Sequence, residues 1–434
     1  MRFPSDQIPP LSIVLRARGV LPVSQPPIEN GAVVIRGNRI ASVARWSELS
    51  SKLRGRATDL GDVLLLPGLV NAHCHLDYTS MAGEFPPPKI FTDWLKLITT
   101  SKGSWGYSEY AQSWLIGAKM LVRNGTTTVG DIEAVPQLLP EVWDATPLRV
   151  ISFLEMIGVT RRREPVAILQ DAIKHLKNLD HSRCRAGLSP HAPYSTVPEL
   201  LTLSAQATRR RRRPLCIHVA ESALEFEMFA HGRGEMFNWL RRSGRDCSDC
   251  KLGSPVQHLE RHRALSDRLL AVHANYLART DAPLLARRNV SVVHCPRSHA
   301  YFRHGPFPLR RLLNAGVNVC LGTDSLASVE KKRHETVELN LFEEMRTLIE
   351  RYPWISSKRA LSFATVNAAR ALGLSGKVGE LKRGSFADVI GIPFTGSIAG
   401  AWDIILHHHG PVSANMIDGN WAVFEGAFAG ENSS

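Results

Sequence analysis

Five polar residues, spread through the middle of the chain, share a sequence context that favours metal chemistry. His73 and His75 stand in the segment Leu-Pro-Gly-Leu-Val-Asn-Ala-His-Cys-His, and His218, His273 and Asp324 each end another short apolar run. Such runs are typical of buried strands. Imidazoles together with a carboxylate can hold one divalent metal ion that keeps an open position for water. The sequence therefore predicts hydrolytic chemistry at a metal centre.

The elements that must position these residues alternate between strand and helix patterns, which predicts βα units around a parallel sheet. Helical patterns cover 109–123, 165–178, 221–241, 280–288, 331–350 and 357–372. In a (β/α)8 barrel of the TIM type, functional side chains converge from the C-terminal ends of several strands. Eight strand ends are predicted near His75, Asp131, Glu155, His191, His218, His273, His294 and Asp324.

Both ends of the chain contain short alternating β segments, separated by turn residues such as Gly37 and Asn38. The C-terminal segments begin at Asp388, Asp403 and Met416. They predict a small composite β-sandwich that both chain ends build together. The expected α/β organisation is thus a sandwich half over 1–66, a metal-dependent barrel over 67–376 and the second sandwich half over 377–434.

The bulk composition suits an ordinary globular enzyme: the chain has 434 residues, of which 44% are hydrophobic and 21% charged. No apolar stretch approaches the roughly 18 residues that a membrane span requires. The start of the chain lacks the basic and apolar regions of a signal peptide, so we expect a cytoplasmic protein. Seven scattered cysteines indicate reduced thiols and not a disulfide framework.

The formal net charge of +13 raises the alternative of a basic nucleic-acid-binding protein. Much of the excess is local, in the five-arginine run Arg209–Arg213. No nucleic-acid-binding motif or aromatic stacking pattern accompanies this run, which favours a solvated helix end before the strand of His218. We therefore expect no nucleic-acid partner. A positive field that attracts an anionic substrate remains the functional alternative.

Longer motifs give the chain a specific resemblance. Leu66-Pro-Gly-Leu-Val-Asn-Ala-His-Cys-His, Asn124-Gly-Thr-Thr-Thr, His218-Val-Ala-Glu and Leu321-Gly-Thr-Asp-Ser occur in order, and Gly379-Glu-Leu-Lys-Arg-Gly-Ser-Phe-Ala-Asp-Val follows them. With these motifs the sequence resembles the cytosine deaminase and triazine hydrolase branch of the amidohydrolase superfamily. That branch includes adenosylhomocysteine, guanine and aminodeoxyfutalosine deaminases.

The resemblance implies roles for individual residues. It implies that His73, His75, His218 and Asp324 bind one metal ion per chain, zinc in most relatives and Fe²⁺ in some. It also implies that Glu221 shuttles protons and that His273 hydrogen-bonds the attacking water. Asp324, an anion beside that water, can take its proton. Binuclear relatives use a bridging carboxylated lysine at the end of strand 4, where this chain has His191 and no lysine.

The sequence identifies the residues that contact substrate less closely than it identifies the metal ligands. The resemblance suggests His191 as a substrate contact, against the alternative of a histidine packed at a helix entry. His294 could line the pocket or make structural hydrogen bonds, and Ser298 lies on the same predicted mouth loop. His299 stands where the branch usually has asparagine, which could alter substrate choice. Trp94 could cover a planar ring or belong to the core.

These inferences predict a metal-dependent hydrolytic deaminase that releases ammonia from an amino-substituted N-heterocycle, such as an adenine-type nucleoside. The alternative within the same machinery is hydrolysis of another C–N bond or of a chlorinated triazine. The expected partner is a small-molecule substrate. A homo-oligomer is left open.

Overall fold

The computed structural model describes residues 12–160, 162–179 and 181–424, and within them two sheets of eight strands each. The outer parts of the two expected terminal domains, 1–11 and 425–434, lie outside the described residues. The strands are β1 (Ser12–Val20), β2 (Ile28–Arg36), β3 (Arg39–Arg45), β4 (Ala57–Asp59), β5 (Val63–Pro67), β6 (Leu69–Cys74), β7 (Thr126–Glu133), β8 (Arg149–Met156), β9 (Arg185–Pro190), β10 (Leu215–Val219), β11 (Leu269–His273), β12 (Ser291–His294), β13 (Asn318–Leu321), β14 (Val389–Pro393), β15 (Ala414–Ile417) and β16 (Asn420–Phe424).

The helices are mostly connections between barrel strands. They are α1 (Ser51–Arg54), α2 (Phe91–Lys102), α3 (Tyr107–Arg123), α4 (Leu139–Asp144), α5 (Pro165–Asn178), α6 (Pro198–Arg211), α7 (Ala223–His231), α8 (Glu235–Arg242), α9 (Pro255–Arg261), α10 (Asp281–Arg287), α11 (Pro296–Tyr301), α12 (Leu309–Asn314), α13 (Leu341–Arg351), α14 (Ser357–Phe363), α15 (Val366–Ala371) and α16 (Ile404–His407).

Strands β6 to β13 pair in sequential order and in parallel, which confirms the predicted (β/α)8 barrel. The barrel closes where β13 returns to β6. There the amides of Thr323 and Asp324 both donate to the carbonyl oxygen of His73, at 3.0 and 3.1 Å. Asn71 reinforces the closure, because its side chain bonds both the hydroxyl and the amide of Thr323.

Alternate residues of the barrel strands pack into an apolar cluster that α15 closes from below. The cluster includes Val70 and Ala72 from β6 and Leu270 and Val272 from β11. This alternation is the period of two that strands impose on their side chains. Large buried residues such as Trp114 fill the layer between the barrel and its outer helices.

The two chain ends build one mixed sheet, in which strands β1 to β5 are joined to β14 to β16. The predicted composite of both ends is confirmed, and hydrogen bonds connect its eight strands into a single path with β4 branching from β1. Arg149 of β8 ties this sheet to the barrel, because it pairs with Asp388 and Asp418 while only 4% of its side chain is exposed.

The expected strand beginning at Asp403 was wrong, because that segment forms the short helix α16. The helix expected over 221–241 is two helices. Gly232 adopts a left-handed conformation with φ 60° and ends α7. Gly234, with φ 94°, directly precedes the first residue of α8. These values favour glycine and interrupt a continuous helix.

Two further predicted helices differ from the structure, one in its start and one in its continuity. The segment 331–340 is not helical, and α13 begins only after Asn340, whose side chain accepts a hydrogen bond from the amide of Phe342. This capping interaction fixes the helix start later than the sequence pattern indicated. The region 357–372 is divided into α14 and α15 at Thr365, which has non-helical backbone angles.

Gly322 offers a test of the closure between β13 and β6. A Cβ at this position would lie 2.7 Å from the His73 carbonyl oxygen and 3.0 Å from the His73 nitrogen. These are backbone atoms that cannot move aside, so Gly322→Ala should lower the free energy of unfolding by about 1–3 kcal/mol. Denaturant unfolding measures this change. Gly400→Ala, where a Cβ meets no atom within 4 Å, is the control and should unfold like the wild type.

Candidate active site and metal centre

The predicted ligand residues meet at the C-terminal mouth of the barrel. His73 lies in β6, and His75 is the first residue after that strand. His218 lies in β10, and Asp324 follows β13. The Nε2 atoms of His75 and His218 are 3.3 Å apart. Asp324 Oδ1 is 3.6 Å from His73 Nε2 and 3.7 Å from His75 Nε2. The potential ligand atoms of His73, His75 and His218 thus lie in one group, and Asp324 approaches two of its members.

The donor set fits a divalent metal ion. A tetrahedral ion with nitrogen ligands at about 2.0–2.1 Å separates those ligands by about 3.3 Å, close to the observed spacing. Both ring nitrogens of His73 and Nδ1 of His75 are buried without a hydrogen-bond partner. Buried polar atoms are normally satisfied, so His73 Nε2, which faces Asp324 at the cluster, suits an ion. His218 Nδ1 instead lies 3.1 Å from the carbonyl oxygen of His191, which leaves its Nε2 facing the cluster.

The electrostatics favour neutral imidazoles and an ionised carboxylate. Burial, together with neighbouring His73, lowers the pKa of His75 to about 3, and burial also holds the pKa of His218 well below its usual range. Burial opposes the charge of Asp324, but contact with His73 and the nearby His273 outweigh it and hold its pKa well below normal. Neutral imidazole and ionised carboxylate are the protonation states that bind metals.

Asp324 is also held in place by hydrogen bonds. The Ser298 hydroxyl donates to its Oδ2 at 2.7 Å, and the Ser325 amide donates to its Oδ1 at 2.9 Å. Ser298 was expected to contact substrate. In the structure Ser298 is buried, and its hydroxyl donates to Asp324, which is a candidate metal ligand.

His273 and Glu221 face the cluster from neighbouring strands. His273 Nε2 lies 3.5 Å from Glu221 Oε1 and 3.9 Å from Asp324 Oδ2. The backbone of Glu221 is fixed from both sides: its amide donates to Glu225 Oε2, and its carbonyl oxygen accepts from the Asn275 side chain. Burial, the charge of Asp324 and that of Glu225 raise the pKa of Glu221 well above its usual value. Its carboxyl group therefore keeps a proton to higher pH than an exposed glutamate does.

His273 reaches the cluster through an unusual backbone conformation. In β11, Leu270 and Val272 point into the barrel, so regular alternation would turn His273 outward. Its φ of 73° lies in the left-handed region, which redirects the side chain. Ala220 and Asp324 have φ values of 52° and 57°. Such non-glycine conformations cost about 1–3 kcal/mol each and often accompany functional sites.

A cavity opens above the cluster, and several of the predicted substrate contacts line it. His191 and Trp94 line it, as do Glu221 and His273. His191 Nδ1 is held 2.6 Å from the Ser195 hydroxyl. His294 is not part of the described cavity wall, because its ring is buried and stacked on Phe307 at 3.9 Å between centroids.

Other lining residues were not expected from the sequence. They include Tyr78, Ile98, Lys102, Ile157 and Phe302. Glu155 was recognised as a strand end but was not assigned to the site, although its position at the end of β8 was the available signal. The remaining residues come from helices and loops without a distinctive motif, so the sequence offered no signal for them.

The arginine run lies away from this mouth. Arg209–Arg211 end α6, and Arg212 and Arg213 precede the start of β10, whereas His218 is near the end of that strand. The run is therefore at the opposite end of the barrel from the cavity. Separately, no helix within the described residues is long and apolar enough to cross a membrane.

Comparison with known proteins identifies the family of the chain. The model of the Amidohydrolase family matches residues 64–403. The chain belongs to this family. It is 31% identical to the 5-methylthioadenosine/S-adenosylhomocysteine deaminase of Syntrophobacter fumaroxidans, over 84% of this chain and 80% of that protein. The resemblance inferred from the sequence motifs is thereby confirmed, and the chain is a hydrolase of carbon–nitrogen bonds.

Solved structures of this family share the fold at lower identity. The aminofutalosine deaminase of Helicobacter pylori, in complex with methylthio-coformycin, superposes with a TM-score of 0.83 at 22% identity, covering 94% of this chain and 100% of that one. The atrazine chlorohydrolase of Arthrobacter aurescens, complexed with zinc, gives a TM-score of 0.80 at 21% identity and covers 95% of each chain. A deaminase and a chlorohydrolase thus share this fold.

The geometry allows ligand and non-ligand histidines to be separated by experiment. His73 is near His75 and His218 and also near His273 and Asp324, with the potential ligand atoms of each group within 4.8 Å. We expect His73→Ala and Asp324→Ala to lose bound metal, because each removes a donor from the centre. His273→Ala should retain about one metal ion per chain. Elemental analysis of the purified proteins measures this directly, and an empty His273→Ala protein would make His273 a ligand.

Proposed function

We propose that this protein is a hydrolytic deaminase that removes the exocyclic amine of an adenine-type nucleoside as ammonia. The observation that carries the proposal is the joint placement of Glu221, His273 and Asp324 around one buried donor cluster at the base of a cavity. The deaminase relative that is 31% identical over most of the chain supports the substrate class.

For the metal we propose a single zinc ion, with Fe²⁺ as the alternative, held by His73, His75, His218 and Asp324. When bound, such an ion acts as a Lewis acid that makes water nucleophilic near neutral pH. The end of β9 is followed by His191 and provides no lysine for a second ion. Elemental analysis of active enzyme should therefore find about one metal ion per chain, and two ions would contradict this model.

Glu221 is proposed to move protons during the reaction. Its raised pKa allows it to donate its proton to the ring nitrogen beside the carbon under attack. The carboxylate left behind can then take the second proton of the attacking water, after Asp324 has taken the first, and pass it to the departing amine. The amine leaves poorly until it is protonated, so one carboxyl group that serves both steps lowers both barriers. The Glu221 amide donates to Glu225 and the Glu221 carbonyl oxygen accepts from Asn275, and these two hydrogen bonds hold its backbone while the side chain exchanges protons.

His273 and Asp324 are proposed to position the attacking water. Burial lowers the pKa of His273 to about 3, so its ring is neutral at physiological pH. A neutral imidazole can donate or accept a hydrogen bond without adding charge. Asp324 Oδ2 lies 3.9 Å from His273 Nε2, and its ionised carboxylate can accept the proton that the water loses.

The alternative is a different leaving group on the same site, such as the chloride of a triazine. The fold supports this alternative, since the atrazine chlorohydrolase shares it. A panel of adenine, guanine, cytosine and pterin compounds, together with a chlorotriazine, separates the two. We expect ammonia release from adenine nucleosides and no chloride release. Chloride release with no ammonia would reverse the assignment.

Substitution of Glu221 tests the proton-transfer step. Glu221→Gln preserves the shape of the side chain but removes the titratable proton, so turnover should fall by about 10²- to 10⁴-fold. Metal content should remain near the wild-type value, because Glu221 is not one of the proposed ligands. Glu227→Gln is the matched control, since Glu227 lies on the adjoining helix α7 and forms an exposed pair with Arg233. Turnover of Glu221→Gln within threefold of wild type would remove this residue from the mechanism.

A further inference from the structure

An ion pair inside the cavity has no part in the metal centre or in the proposed proton transfers. Lys102, the last residue of α2, places its Nζ 3.7 Å from Oε2 of Glu155 in β8. Only 22% of the lysine side chain and 6% of the glutamate side chain are exposed. The ammonium also lies 4.5 Å from the centre of the Tyr78 ring. The two charges therefore neutralise each other within the cavity wall.

The carboxylate of the pair is favoured by its neighbours. Burial opposes ionisation of Glu155, but Lys102 and then His191 outweigh it and lower the pKa of the carboxyl group. Nothing else in the cavity wall replaces Lys102: among the described lining residues it is the only lysine, and there is no arginine. An anionic group on a substrate would have to compete with Glu155 for this one cation.

The pair lies near the reacting end of the cavity. Glu155 Oε1 is 4.0 Å from His191 Nε2, and the His191 ring is 5.0 Å from the ring of His218. A substrate whose amine reaches the metal centre thus places its adjoining parts beside Glu155. Charged groups so close to a buried carboxylate interact strongly, because the surrounding dielectric is low.

The outer wall of the cavity is apolar. It consists of Trp94, Leu95, Ile98, Ile157 and Phe302. Ile157, at 51% exposure, stands at the opening, and the Trp94 and Phe302 rings pack edge to face at 5.0 Å between centroids. A substituent that extends from the reacting end toward solvent meets these side chains. Apolar groups gain from such contact, whereas a charged group loses hydration without a partner.

We propose that the Lys102–Glu155 pair and the apolar outer wall select nucleosides whose sugar carries an uncharged substituent, and that they exclude substrates with an anionic one. This inference rests on the proposed deaminase function and makes it more specific. The 31% identical relative is named for two substrates that differ in this respect, one with a neutral methylthio group and one with an amino-acid group. For this chain the inference favours the neutral class.

The test compares kcat/KM for three substrates: 5′-methylthioadenosine, S-adenosylhomocysteine and adenosine 5′-monophosphate. We expect the wild type to prefer the neutral methylthio compound over the zwitterionic and dianionic ones by at least tenfold. Glu155→Gln keeps the side-chain shape but leaves Lys102 unpaired. It should therefore raise the ratio of kcat/KM for the monophosphate over the neutral substrate at least tenfold. Lys102→Met should lower the same ratio, because it leaves the carboxylate uncompensated.

Lys96→Met is the matched control, because Lys96 also lies on α2 but forms an exposed pair with Asp93. It should leave the ratio unchanged. A Glu155→Gln ratio within threefold of wild type would overturn the inference. So would a wild-type preference for S-adenosylhomocysteine that both variants lose, since the pair would then bind a zwitterion. If Glu155→Gln does not fold, the ratio measured for Lys102→Met decides.

Failure of the proposed function itself gives a different result. In that case the wild type releases no ammonia from any of the three compounds. Calorimetric binding of 5′-methylthioadenosine and adenosine 5′-monophosphate to the wild type, Glu155→Gln and Lys102→Met then tests charge selection without turnover. A Glu155→Gln protein that gains no relative affinity for the monophosphate would contradict the inference in this assay as well.

Discussion

Two hydrogen bonds to one carbonyl oxygen hold the active site together. The amides of Thr323 and Asp324 both donate to the oxygen of His73 and so join the last barrel strand to the first. Because a proposed metal ligand lies at each end of this contact, closure of the barrel also assembles the donor cluster. Any change that separates β13 from β6 moves Asp324 away from His73 and His75, and with it the carboxylate that must meet the imidazoles.

Burial of the site side chains determines the electrostatics of the site. Burial removes water from the imidazoles and lowers the pKa values of His75 and His273, while it raises that of Glu221. The same low dielectric thus favours the neutral form of His75 and His273 and the protonated form of Glu221. Asp324 remains an anion because histidines and the Ser298 hydroxyl surround it. Glu221 and Asp324 are both carboxylic acids, and their different surroundings shift their pKa values in opposite directions.

Substrate choice depends on a different part of the molecule. The Lys102–Glu155 pair and the apolar wall come from α2, β8 and the loops around the mouth, whereas the donor cluster comes from β6, β10 and β13. In a barrel of this kind the strands position the chemistry and the mouth elements can vary around it. Shared architecture with both a deaminase and a chlorohydrolase is consistent with this division.

The sequence by itself determined the barrel, its strand ends and the polar cluster of His73, His75, His218, His273 and Asp324 at its mouth. It could do so because apolar runs that end in His73, His218, His273 and Asp324 carry a local signal, and parallel strands place their ends together. It could not locate the ends of helices such as α7 and α13, where Gly232 and the Asn340 side chain decide the boundary.

Only the tertiary structure decided how several of these side chains point and what they contact. Regular alternation after Ala72 and Val272 would turn His73 and His273 outward. An irregular register between Asn71 and Cys74 and the left-handed backbone of His273 redirect them. Neither feature is marked by a glycine, so the sequence shows no trace of it. The contact of Ser298 with Asp324 and the pairing of Lys102 with Glu155 join residues far apart in the chain, and such contacts arise only when the barrel closes.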